Sequence, residues 1–101
     1  MTQDQRMLQA ILEYRADIDD PGPRWPEMEF EKYSYSKWAV DELYIWVLSH
    51  PDWTVLHAVS EFVDMMNRYA CRETHYSEAN FIFEIAWEQA GNIYYILSCM
   101  E

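Results

Sequence analysis

The stretch that decides the fold is KWAVDELYIWVL, residues 37–48, which is long enough for about three turns of helix and has no glycine or proline. Five of its apolar residues share one side of a helical wheel: Ala39, Val40, Leu43, Trp46 and Val47. Four more flank or oppose that side: Trp38, Tyr44, Ile45 and Leu48. Because a helix that is apolar nearly all round must be covered on more than one side, this stretch predicts a helical bundle.

Three other segments have helical periodicity, at about 5–18, 51–72 and 78–98. The first has an apolar side formed by Met7, Leu8, Ile11, Leu12, Tyr14 and Ile18. The next has an apolar stripe formed by Val55, Val59, Phe62, Val63, Met66, Tyr69 and Ala70, and His57 lies on its solvent-facing side. The last has Ile82, Ala86, Trp87, Ala90, Ile93, Tyr94 and Leu97. The sequence therefore predicts an all-α fold, a small antiparallel helical bundle of three core helices plus a packed N-terminal helix.

Polar residues before each periodic segment predict where the helices start. Ser34 or Ser36 is a candidate cap for the second helix, and Thr74 or Ser77 for the fourth. Residues 49–52 have the spacing of a capping box, with Pro51 in the first turn of the third helix.

The first and second helices are separated by an acidic, proline-rich linker at about 17–34. Its alternation of Met28 and Phe30 with acids predicts an extended connector, because a single strand would have no pairing partner in this sequence. We interpret residues 1–101 as a single domain, since this length does not accommodate two.

The chain has 18 acidic residues and seven basic ones, a formal net charge of −11. This charge disfavours direct nucleic-acid binding and anionic membrane surfaces, which both draw on Lys and Arg. No apolar run approaches the ~18 residues of a membrane helix, and the N-terminal residues lack the pattern of a secretion signal. The expected location is cytoplasmic, where the two cysteines remain thiols.

No motif predicts catalysis, a metal site or a cofactor. Cys71 and His75 are four residues apart, but Cys99 lies about 30 Å away at the other end of the fourth helix, too far for a shared zinc. His57 and Glu61 form an ordinary pair on a solvated helix face. We therefore expect no enzyme activity.

The five tryptophans and eight tyrosines are more than a small core needs, and such residues are enriched at protein contacts. Two interpretations of the second helix remain open. Either it is buried centrally on all sides, or part of it meets a protein partner or a second copy. On the second interpretation the candidate interface residues are Trp38, Tyr44, Ile45 and Leu48.

We therefore hypothesise a non-enzymatic protein–protein interaction module, either a homo-oligomer or a partner-docking protein. The alternative is an acidic inhibitor, antitoxin-like or nucleic-acid-mimic protein that covers the basic site of a nucleic-acid enzyme. For that alternative the linker would be an acidic arm around an aromatic anchor, with candidate residues Asp19, Asp20, Trp25, Glu27 and Glu29.

Overall fold

The structure, a computed structural model, describes residues 1–19, 30–71 and 78–101, with side chains omitted at 19, 30–33 and 78–80. Four helices make up the described fold: α1 (Gln3–Asp19), α2 (Phe30–Leu48), α3 (Val55–Ala70) and α4 (Glu78–Ser98). Every helix contacts the other three, and α3 with α4 is the most extensive pair. The predicted all-α bundle, with a packed N-terminal helix, is confirmed.

The N-terminus of α1 is held by a capping box that the sequence interpretation missed. The Gln5 backbone N–H donates to Thr2 Oγ1 at 3.1 Å, and the Thr2 N–H donates to Gln5 Oε1 at 2.8 Å. This reciprocal pair satisfies N–H groups that the first helical turn leaves without partners, so α1 begins earlier than predicted.

α2 begins at Phe30, so the predicted start at Ser34 or Ser36 is wrong, and so is the extended connector at Phe30. Ser36 is fully buried within the helix rather than capping it. The buried face of α2 has regular helical spacing: Ser36, Ala39, Val40, Leu43 and Val47. The linker predicted at about 17–34 is helical at both ends, because α1 extends to Asp19; residues 20–29 lie outside the described part of the chain.

Thr54 caps α3, so the capping box predicted at 49–52 is wrong. The Thr54 hydroxyl accepts from the His57 backbone N–H at 3.2 Å, whereas Ser49 Oγ donates back to the Ile45 carbonyl of α2 at 2.7 Å. Between them, His50 and Trp53 stack with ring centroids 4.6 Å apart. α3 begins after this turn, at Val55. The candidate caps of α4, Thr74 and Ser77, lie outside the described residues.

One hydrophobic cluster contains residues from all four helices, including Ile11, Leu43, Val59 and Ile93. Two long-range hydrogen bonds fix its edges. The Trp46 indole N–H donates to the Ala58 carbonyl at 2.9 Å and joins α2 to α3. The Tyr14 hydroxyl donates to Gln89 Oε1 and joins α1 to α4.

The buried face of α4 differs from the predicted one on one flank. Ala86, Ala90, Ile93 and Leu97 are buried as predicted, but Ile85 and Gln89 complete the face in place of Trp87 and Tyr94, which are exposed. Gln89 can be buried because its amide oxygen accepts a hydrogen bond from the Tyr14 hydroxyl. With Gln89 on the buried face, Trp87 faces outward. In α1, Leu12 is likewise exposed rather than buried.

None of the helices, within the described residues, combines the length and the apolar character that crossing a membrane requires.

Candidate functional site

The solvent-facing residues of α2, within the part of the helix with described side chains, form a single line. The five exposed residues follow the i, i+3, i+4 spacing of one helix face, and together with Ser49, one residue past the helix, we call them the α2 stripe: Trp38, Asp41, Glu42, Ile45, Leu48 and Ser49. Three of them are large and apolar, with Trp38 41 %, Ile45 55 % and Leu48 53 % exposed. Within the described residues, α2 is therefore not buried on all sides. Three of the four candidate interface residues lie together on this stripe.

A groove of about 310 Å³ runs along one side of the stripe, between α2, α3 and α4. We call it the Met65 groove. Its lining is aromatic and aliphatic apart from two polar residues on the α2 rim: Trp38, Glu42, Ile45, Trp46, Ser49, Phe62, Met65, Met66 and Phe83. The bundle thus leaves an apolar depression directly beside exposed apolar side chains. Small apolar molecules and protein anchors bind in depressions of this kind.

A second groove of about 300 Å³ lies on the other side of the stripe, between α1 and α2. Its lining includes Leu12 of α1 and the half-buried Tyr44, the fourth candidate interface residue. Ile45 lines both grooves, so it forms the ridge between them. Leu12 of α1 is exposed and lines this groove, so it extends the apolar surface toward the first helix.

The two grooves beside the stripe differ in charge. Arg15 of α1 donates through Nε and Nη2 to the two carboxylate oxygens of Asp41, at 2.6 and 3.2 Å. This bidentate pair offsets the charge of Asp41. Both residues of the pair line the second groove. Glu42 is the charged residue among the described residues that line the Met65 groove. The net charge of that groove is therefore negative.

The described residues do not include the predicted acidic arm, apart from the backbone of Asp19. Asp19 is the last residue of α1, and its side chain is not described. Asp20, Trp25, Glu27 and Glu29 lie outside the described residues. The arm stays a prediction.

α4 also has four exposed large apolar residues, distributed around the helix: Trp87, Tyr94, Tyr95 and Ile96. Of these, Tyr94 lines a cavity of about 440 Å³ with Asp4, His57 and Ser60. Among the described residues, the His57 ring meets Trp53 and Glu61, with no hydrogen bond to Ser60. A nucleophile without a hydrogen-bonded base lacks its activating group.

The structure describes two of the three candidate metal ligands. Cys71 and Cys99 are exposed free thiols, and His75 lies outside the described residues. Across the described chain, no three His, Cys, Asp or Glu side chains are grouped closely enough to hold a metal ion.

The chain matches no protein-family model, and comparisons with curated proteins and with solved structures give no match either. Inferences about function therefore depend on the surface of the molecule itself.

Proposed function

We propose that this protein is a non-enzymatic interaction module that docks on a partner protein, or on a second copy of itself, through the α2 stripe. One observation carries the proposal. Trp38, Ile45 and Leu48 are each about half exposed along one line of α2, with an apolar groove on either side of that line.

Physical arguments support a contact at this place. Full burial of one Ile or Leu side chain stabilises a folded or bound state by about 1.5–3 kcal/mol. Ile45, Leu48 and Trp38 are each about half exposed, so covering them with a partner would stabilise the complex. Single exposed apolar residues are normal, but a continuous apolar patch on a folded protein typically marks an interaction site. Tryptophan in particular is enriched among the residues that dominate binding energy.

We further propose a cytoplasmic location, because the described Cys71 and Cys99 are both exposed free thiols, which persist in reducing compartments. The acidic net charge supports a protein rather than a nucleic acid or a membrane as the partner.

Site-specific photocrosslinking tests the proposal. A benzophenone amino acid at Ile45 would lie on the ridge between the two grooves, and irradiation in the native cell would trap whatever covers it. The matched control carries the same group at Glu13, which is exposed on α1 and lines neither groove. We expect a discrete adduct from position 45 and little from position 13.

Either a different protein or a second copy in that adduct supports the proposal. Equal adducts from both positions, or none from position 45 while the protein is folded and abundant, would contradict it.

The acidic inhibitor, antitoxin-like or nucleic-acid-mimic function is a second candidate, favoured by the formal net charge of −11. Its contact would be made by carboxylates rather than by the stripe, so affinity would fall steeply as added salt shortens the reach of exposed charges to ~10 Å at 0.1 M. A native partner whose binding is salt-sensitive and indifferent to Ile45→Asp would favour this function over the interaction module.

A further inference from the structure

We infer that the Met65 groove receives a basic amphipathic helix of a partner protein, which inserts one large apolar side chain and places a Lys or Arg against Glu42. This inference rests on the proposed function of the α2 stripe, and it adds the chemistry of the partner.

The shape and lining of the groove favour a helix with one dominant anchor. It is an open depression of about 310 Å³, lined by Phe62, Met65, Met66 and Phe83 beside a rim formed by α2. Methionine side chains are unbranched and polarisable, so they adjust to the shape of an inserted side chain. The rim residues Trp38 and Ile45 are two turns apart on α2, a spacing that a second helix matches with apolar residues at i, i+3 or i+4, and i+7.

The charge of the groove favours a basic partner. Glu42 lies on the rim between Trp38 and Ile45 and has no ion-pair partner among the described residues, whereas Asp41 is paired with Arg15. A Lys or Arg one turn from the anchor would reach this carboxylate at the edge of an apolar surface, where a charge-assisted hydrogen bond is stronger than in bulk water. The formal net charge of −11 attracts a basic partner over a longer range.

A second copy of the chain fits the same surface less well. In an antiparallel two-fold pairing of the α2 stripes, Asp41 and Glu42 lie near the symmetry axis, so the acids of the two copies approach one another. Each copy also contributes a net charge of −11. Like charges placed at a contact oppose association, so the complementary partner is the basic helix.

Selection from a displayed library of amphipathic helices about 16 residues long tests this inference. The library keeps apolar positions at helical spacing and randomises their identity together with the charge of the flanking positions. Affinities of the selected peptides are then measured for the wild-type protein, Glu42→Gln, Met65→Lys and the matched control Glu13→Gln. Glu13 is exposed and lines neither groove, so its variant removes the same charge elsewhere.

We expect the selected peptides to share one Trp, Phe or Leu anchor with a Lys or Arg one turn away. Glu42→Gln should weaken their binding about tenfold, as the loss of one charge-assisted pair predicts. Glu13→Gln should change it less than twofold. Met65→Lys should weaken binding more than tenfold, and Ile45→Asp replaces that variant if it fails to fold.

Selected peptides that are neutral or acidic, or whose binding responds equally to Glu42→Gln and Glu13→Gln, would overturn the inference. So would a native protein captured at position 45 that presents no basic helix, although the proposed function would then still stand. Peptides that bind as expected while position 45 captures nothing in the cell would support the groove chemistry and contradict the proposed function.

Discussion

Phe62 lies in the core of the bundle, 3 % exposed, with its ring centroid 6.2 Å from that of Trp46. Truncation to alanine removes buried carbon and leaves a cavity, so Phe62→Ala should lower the free energy of unfolding by about 3–5 kcal/mol. Trp87 is 44 % exposed on α4, so a smaller fraction of its side chain is buried and Trp87→Ala should cost less than Phe62→Ala. Urea denaturation of the two variants measures the difference. Equal losses would mean that α4 is rotated to bury Trp87.

Ser36 is fully buried in α2, and its hydroxyl has no hydrogen-bond partner among the described residues. A buried hydroxyl without a partner costs about 1–3 kcal/mol of desolvation, and alanine has the higher helix propensity. Ser36→Ala should therefore leave the free energy of unfolding unchanged or raise it by up to about 1 kcal/mol, measured by the same denaturation. A loss above 1 kcal/mol would show that the hydroxyl makes a bond that stabilises the fold.

At the level of helices, the bond between Tyr14 of α1 and Gln89 of α4 links segments that are 75 residues apart. Tyr14→Phe removes the donor and leaves the buried Gln89 oxygen unpaired, which should cost about 1–2 kcal/mol at pH 7. Tyr95→Phe is the matched control, because Tyr95 is 71 % exposed. It should change stability by less than ~0.5 kcal/mol. Similar losses in both variants would contradict a stabilising role for the bond.

The same bond should depend on pH. Burial raises the pKa of Tyr14 above its ordinary value and the charge of Glu88 adds to this, while a hydrogen bond from Asn92 opposes it. The folded protein therefore favours the neutral phenol. Its contribution is fully present below the unfolded pKa of about 10 and is lost as the pH rises through the folded pKa. The stability difference between wild type and Tyr14→Phe should shrink when denaturation is repeated above pH 10. A difference that grows would contradict this assignment.

The individual helices show which features were predictable from sequence. Val55, Val59, Phe62 and Met66 of α3 are buried as predicted, because their spacing leaves only one apolar face. α4 offers apolar residues on several sides, so periodicity alone could not choose between Trp87 and Ile85. Gln89 is buried on the same side as Ile85, and its hydrogen-bond partner Tyr14 lies on the distant α1, which periodicity within α4 does not show.

The start of α3 was mispredicted for a similar reason. Both Ser49 and Thr54 suit an N-cap, and cap spacing does not show that His50 and Trp53 stack between them in a turn that precedes the helix. The candidate site was predicted in part. Trp38, Ile45 and Leu48 were identified as residues beyond the main buried face of α2. The two grooves were not predicted, because each is made by residues of more than one helix.

At the scale of the whole molecule, the four helices pack around one core, and none of the described residues covers the outer side of α2. The helix that is apolar nearly all round therefore serves two roles: one face stabilises the fold, and the opposite face is free to bind. If this division is correct, the stripe can be altered without loss of the fold.

The most direct test is Ile45→Asp, which places a charge on the ridge between the two grooves. Because Ile45 is 55 % exposed, the free energy of unfolding should change by less than about 1 kcal/mol, while the partner trapped by the wild-type protein should no longer bind. Denaturation and quantitative capture from the native cell measure the two effects on one preparation. A variant that unfolds, or one that stays folded and still binds the partner with wild-type affinity, would contradict an exposed α2 stripe that docks a protein.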